Sequence, residues 1–178
     1  MSNGKVKVNK STIYSMDAEL QMLLRPAIRG GHSTIEMYGT VIDLPKKLDF
    51  DTLEEMRSYI NTRILGNPHI AAKYGDIPYV RVEQTPPHSM DVSWETARSR
   101  TPHRYNKQNR TIYFTLSDTG MSIVAVVHEA THAITHSAGL GGGHDQEFLE
   151  AYISIYDVIA GPSMAWAVRT LHDEIARS

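Results

Sequence analysis

Residues 126–136 read VVHEATHAITH, in which His128, Glu129 and His132 form the pattern H-E-x-x-H. On an α-helix, residues i and i+4 share one face about 6 Å apart along the axis, so two imidazoles at this spacing can converge on one ion. A glutamate directly after the first histidine stands beside such an ion. It can hold a water as general base instead of acting as a ligand. Zinc lowers the pKa of water bound to it to roughly 7, which makes this the chemistry of metal-assisted attack on a polarised carbonyl. Burying Glu129 in an apolar helix without such a partner would be costly. His136 repeats the spacing but lies about 12 Å along the axis from His128, too far for one ion to join both. It reads as a hydrogen-bonded or solvated neighbour, with an indirect role at the site as the alternative.

A catalytic zinc keeps three protein ligands and one open position. The chain has no cysteine, so disulfides and thiolate ligands are excluded and the third ligand must be histidine or carboxylate. The candidates lie in GGGHDQEF, residues 141–148. Three glycines let the backbone turn sharply. His144 follows them and is the favoured ligand, since imidazole is the commonest one. Asp145 and Glu147 are the alternatives. Asp145 also suits a helix cap, and Glu147 could orient His144 by accepting its second nitrogen.

The pair HEATH…GHDQEF resembles the zincin-type metallopeptidases whose third ligand lies in an H-G-x-E-F-like segment opening the next helix, an arrangement found in SprT-like proteases. It is more similar still to a group of small metallohydrolases of actinobacteria and their phages, in which H-E-x-x-H is followed by H-G-P-E-F. The likeness extends to an early helix, to DFDTLEEMRSYINTRIL and KYGDIPYVRV, and to a strand ahead of the histidine helix, covering most of residues 14–160. The resemblance implies a zincin-like fold with His128, His132 and His144 on zinc and Glu129 as base. Where that group has Gly-Pro, this chain has Asp145-Gln146. The N-terminal MSNGKVKVNK is basic with no apolar stretch behind it and does not read as a secretory signal, so a cytoplasmic setting is the expectation, with a phage-infected host or a virion as variants.

The elements that must position these residues can be read from pattern. The chain has 178 residues, 41% hydrophobic and 21% charged, with a formal charge of −2, which suits one domain with a real core. Residues 1–12 read as a flexible tail and 13–178 as the domain. Ser15 is a candidate cap for a helix over 16–24, stopped near Pro26 and Gly30–Gly31. Residues 33–44 suggest one strand kinked at Gly39. Asp51 is a candidate cap for a helix ending at Gly66 and Pro68. Residues 77–84 and 109–116 alternate as strands, with an irregular polar stretch over 88–110. Ser117, Asp118 and Thr119 could cap the histidine helix over 121–137, Asp145 a helix to Ala160, and Ser163 a last helix to Ala176. The fold class is α+β, a small mixed or antiparallel sheet packed against the histidine helix, with further helices C-terminal to it.

These features point to a zinc-dependent metallopeptidase acting on a peptide or protein. A hydrolase of another amide or ester uses the same residues, and a non-catalytic or structural zinc protein is the reading from another class. A purely structural site needs four closed ligands and no base, which the pattern does not suggest. The strand RTIYFTL is the candidate edge for a substrate added in β-fashion, with an ordinary strand inside the sheet as the alternative. Tyr105, Tyr113 and His136 are candidates for stabilising an oxyanion. The segment 97–110 carries Arg98, Arg100, Arg104, Lys107 and Arg110 without an acid, so it could meet nucleic-acid phosphates, although a solvated loop is the simpler reading. The apolar runs are too short for a membrane span. Trp94 and Trp166 read as core, and the histidines at 32, 69, 88, 103 and 172 as surface or capping residues.

Overall fold

The computed structural model describes residues 8–86, 103–117 and 120–178. Helix α1 spans Lys10–Gly30. Residues 10–12, expected in the tail, therefore belong to it, and residues 1–7 lie outside the described residues. The cap is Asn9, not Ser15: Thr12 N–H donates to Asn9 Oδ1 and Asn9 N–H to Thr12 Oγ1, each at 3.1 Å, a reciprocal arrangement that satisfies two end donors. Pro26 lies inside the helix. The apolar stripe Ile13, Met16, Leu20, Leu24, Ala27 is buried on both sides of it, and that continuous face carries the helix past the proline.

The expected kinked strand is a hairpin. Strands β1 (Thr34–Met37) and β2 (Thr40–Asp43) pair antiparallel, joined by Tyr38 and Gly39, both at positive φ. Two left-handed residues in a two-residue loop give the turn whose twist matches the strands. Helix α2 (Leu53–Tyr59) is capped by Thr52, whose hydroxyl accepts from Glu55 N–H; Asp51 stands one residue outside. A π-helical stretch, Ile60–Leu65, continues it to Gly66. Within it Asn61 Nδ2 donates to the Arg57 and Val80 carbonyls at 2.8 and 3.0 Å, and its Oδ1 accepts from Val80 N–H at 2.9 Å. This amide fastens the helix to the chain entering the sheet. Pro68 does not merely end that helix. It begins α3 (Pro68–Tyr74) behind the Asn67 cap, where a proline loses nothing by lacking an N–H.

The three-stranded sheet has the order β3-β5-β4. Strand β3 (Arg81–Gln84) is shorter than its sequence pattern, and β4 (Arg104–Asn106) falls where an irregular loop was expected. Strand β5 (Thr111–Phe114) is parallel to β3 and antiparallel to β4. Both its edges are therefore occupied, which corrects the expectation that this strand offers a free edge to a peptide. Ile112, Phe114 and Val82 are buried in the core.

Helix α4 (Ile123–Ser137) is capped by Ser122, whose hydroxyl accepts from Ala125 N–H; of the expected cluster, Asp118 and Thr119 lie outside the described residues. Helix α5 (Gln146–Ala160) is capped by Asp145, and α6 (Pro162–Ile175) follows Gly161. Helix α4 packs against α1, α5, β4 and the π-helical stretch. This explains why it is buried nearly all round, His128 and Glu129 included. The architecture is α+β, two small sheets among helices, as the pattern indicates. Among the described residues no helix is long and apolar enough to cross a membrane. Trp166 departs from expectation: it is 43% exposed on α6, edge-on to exposed Tyr38. Trp94, Arg98 and Arg100 lie outside the described residues.

Candidate metal centre

One helical turn brings His128 and His132 side by side on α4, their ring centroids 5.1 Å apart. The loop from Gly139 returns the chain, and His144 meets them just before α5. Ligand-capable atoms of His128, His132 and His144 all lie within 4.8 Å of one another. His144 Nε2 is 3.1 Å from His128 Nε2. Two nitrogens about 2.05 Å from one tetrahedral ion are separated by about 3.3 Å, so that pair already stands at ligand spacing.

The partners of these rings decide which nitrogens face the gap. His132 Nδ1 is 3.0 Å from the Gly142 carbonyl. A carbonyl only accepts, so Nδ1 carries the proton and Nε2 is left with its lone pair. His128 Nδ1 is 2.6 Å from Asp17 Oδ2, and the same logic leaves its Nε2 bare when the ring is neutral. The other Asp17 oxygen accepts the Tyr152 hydroxyl at 2.7 Å. Phe148, on the first turn of α5, packs against all three imidazoles at 4.7–5.2 Å.

Gly142 is required for two reasons. Its φ is 82°, in the left-handed region. A Cβ there would stand 2.8 Å from His136 Cδ2 and 2.9 Å from its Nε2. His136 thus backs the glycine loop and is not part of the ligand group, in line with its distance along the helix. Asp145 is a cap, its carboxylate accepting Phe148 N–H at 3.0 Å. Glu147 is exposed on the first turn of α5.

Glu129 is 2% exposed, and its Oε2 is buried without a hydrogen-bond partner. Burial pushes its carboxyl up to about 7, with the Asp17 charge adding to the rise; the His128 charge and the Tyr105 backbone N–H oppose it. Burial and the neighbouring His128 push His132 down to about 3 and His144 down to about 4, so both stay neutral and able to ligate. Burial also works against a charged His128, but Asp17, by charge and hydrogen bond, and then Glu129 outweigh it and hold that ring above its ordinary value.

A cavity of about 190 Å³ opens over these groups, lined by Tyr14, His103, Tyr105, Glu129 and His136 among others. Larger cavities of about 500 Å³ lie elsewhere, but among the described residues only the three histidines form a group that could hold a metal. Of the oxyanion candidates, Tyr105 and His136 line the cavity and Tyr113 does not. His103, expected at the surface, lines it with Nδ1 buried and unpartnered. Burial, then the His128 charge, pushes its ring down to about 4. His172 is likewise buried, at 1% exposure. Tyr14 stacks on His128 at 5.5 Å and lies tilted against His144 at 5.2 Å. Asp17, Tyr14 and Tyr152 bear no mark in the sequence that ties them to the site; a search for carboxylates able to hold a ligating imidazole would have had no spacing to use.

No family model, curated protein or solved structure matches the chain. The protein has a group of three histidines close enough together to bind a metal ion.

Proposed function

We propose that the protein is a zinc-dependent metallopeptidase in which His128, His132 and His144 hold the ion and Glu129 is the general base. The observation that carries this reading is a buried, unpartnered Glu129 oxygen beside three imidazole ligand atoms within 4.8 Å of one another. The donor set fits zinc: neutral nitrogens, three ligands, and a cavity on the remaining side. When bound, zinc supplies a water of lowered pKa and polarises the carbonyl under attack. Glu129 Oε2 would accept a proton from the attacking water and return it to the leaving amine. The Tyr105 N–H holds the Glu129 carboxylate in place. Tyr105, His136 and His103 stand at the cavity wall, where a donor could meet developing negative charge.

The same strand favours a peptide over another amide or ester. Strand β4 pairs with β5 on one side only among the described residues and carries Tyr105 into the cavity wall. An extended chain added along that edge would be held through main-chain groups other than the Tyr105 N–H, which is committed to Glu129. The all-nitrogen donor set supports zinc as the metal of this reading.

The test is metal analysis of the purified chain, with about one zinc per chain expected. His128→Ala and His132→Ala lose it, while Glu129→Gln keeps the metal and loses cleavage in a peptide-library screen. Metal retention in both histidine variants refutes the ligand assignment. Undiminished cleavage by Glu129→Gln refutes the base.

A further inference from the structure

His128 and His132 are neighbours on one helix, yet they are anchored by different chemistry. His132 leans on a neutral backbone carbonyl, whereas His128 leans on the Asp17 carboxylate at 2.6 Å. Asp17 comes from α1, 111 positions earlier in the chain. Its side chain is 15% exposed, and its second oxygen takes the hydroxyl of Tyr152, a fully buried residue of α5. Three helices thus meet in one line: Tyr152, Asp17, His128.

We propose that Asp17 and Tyr152 are positioning residues that set the affinity of the metal site, with Asp17 orienting and polarising His128 and Tyr152 acting only through Asp17. The inference rests on the three-histidine metal reading. A carboxylate accepting Nδ1–H fixes the tautomer with Nε2 bare and makes that nitrogen a stronger donor to a cation. A carbonyl fixes the tautomer but adds no charge. Tyr152 gives the outer Asp17 oxygen a donor where water has little access, and so holds the carboxylate in line with the ring.

The test is a set of zinc competition titrations against a chromophoric chelator on the full chain, comparing wild type, Asp17→Asn, Tyr152→Phe and the double variant. Cobalt titrations read the ligand field in parallel. Asp17→Asn is expected to weaken zinc binding by about 10- to 100-fold, the usual loss for an outer partner of a ligating histidine. Tyr152→Phe weakens it by a smaller factor, and the double variant matches Asp17→Asn, because a residue acting through another has nothing left to act on. The cobalt absorption band shifts in Asp17→Asn. Zinc affinity of Asp17→Asn within about twofold of wild type overturns the proposal. So does a Tyr152→Phe loss that persists undiminished in the Asp17→Asn background. Thermal melts in chelator report folding of the metal-free forms. If Asp17→Asn does not fold, Tyr152→Phe decides alone: weaker zinc binding with an unchanged metal-free melt supports the relay, and any other result refutes it. A wild type that binds neither metal refutes the metal reading itself, which is a different outcome from a wild type that binds tightly and an Asp17→Asn that binds as tightly.

Discussion

Replacing Glu129 by glutamine should make the metal-free protein more stable at alkaline pH while removing the base of the proposed reaction. The carboxyl is fully buried and pushed from 4.5 up to about 7. A carboxylate with a raised pKa favours the folded state when protonated. Its contribution is therefore fully present below pH 4.5 and is lost as pH rises through about 7. At 1.36 kcal/mol per pH unit, ionised Glu129 costs the fold about 3 kcal/mol at pH 8 and under about 1 kcal/mol at pH 5. Glutamine does not ionise. Its Oε1 can keep the Tyr105 N–H, and its amide leaves a donor facing the cavity at a cost of about 1 kcal/mol. That cost is the same at both pH values and cancels in the comparison. The stability of Glu129→Gln relative to wild type should thus rise by about 2 kcal/mol between pH 5 and pH 8. Urea unfolding in the presence of chelator measures it. A relative stability that stays flat or falls over this range would mean that Glu129 is not a carboxylate forced into an apolar wall, and the case for a poised base would go with it.

Other outcomes follow from the same geometry. Gly142→Ala should lose about 1–2 kcal/mol through left-handed strain alone, and the displaced Gly142 carbonyl should weaken zinc binding through His132; parallel urea melts and zinc titrations separate the two effects. The metal-free protein should lose stability as pH falls from about 6.5 toward 4, since His132, His144 and His103, depressed to about 3, 4 and 4, must stay neutral in the fold but charge when unfolded. Tryptophan fluorescence against pH, with and without zinc, reads this, and zinc should move the transition to lower pH. Asn61→Ala removes two hydrogen bonds that tie the π-helical stretch to Val80 and a third to the Arg57 carbonyl and should cost about 1–3 kcal/mol in urea unfolding without changing metal content.

Much of the site is local and was legible for that reason. His128, Glu129 and His132 are related by one turn of one helix, and helical periodicity is a property of short sequence. His144 is nearly local: a glycine run followed by a capped helix leaves the chain few ways to return, and Asp145, able either to cap or to ligate, is spent on Phe148 N–H. The elements that were misread share another cause. Pro26 does not break α1 because the buried face on either side outweighs one missing hydrogen bond. Pro68 starts a helix, since only the path of the preceding turn distinguishes the first position of a helix from the end of the last one. Strand β5 is central because β4 folds back beside it, and pairing partners are not encoded in a strand's own alternation.

By itself the sequence determined which side chains could take a metal and a proton, because those options depend on residue type and on spacing within a helix. Only the tertiary structure decided what stands behind them. Asp17, Tyr152 and Tyr14 reach the histidines through helices brought together by burial of apolar faces. Contacts of that range have no period to read, since they are set by how whole elements pack and not by the residues that happen to meet.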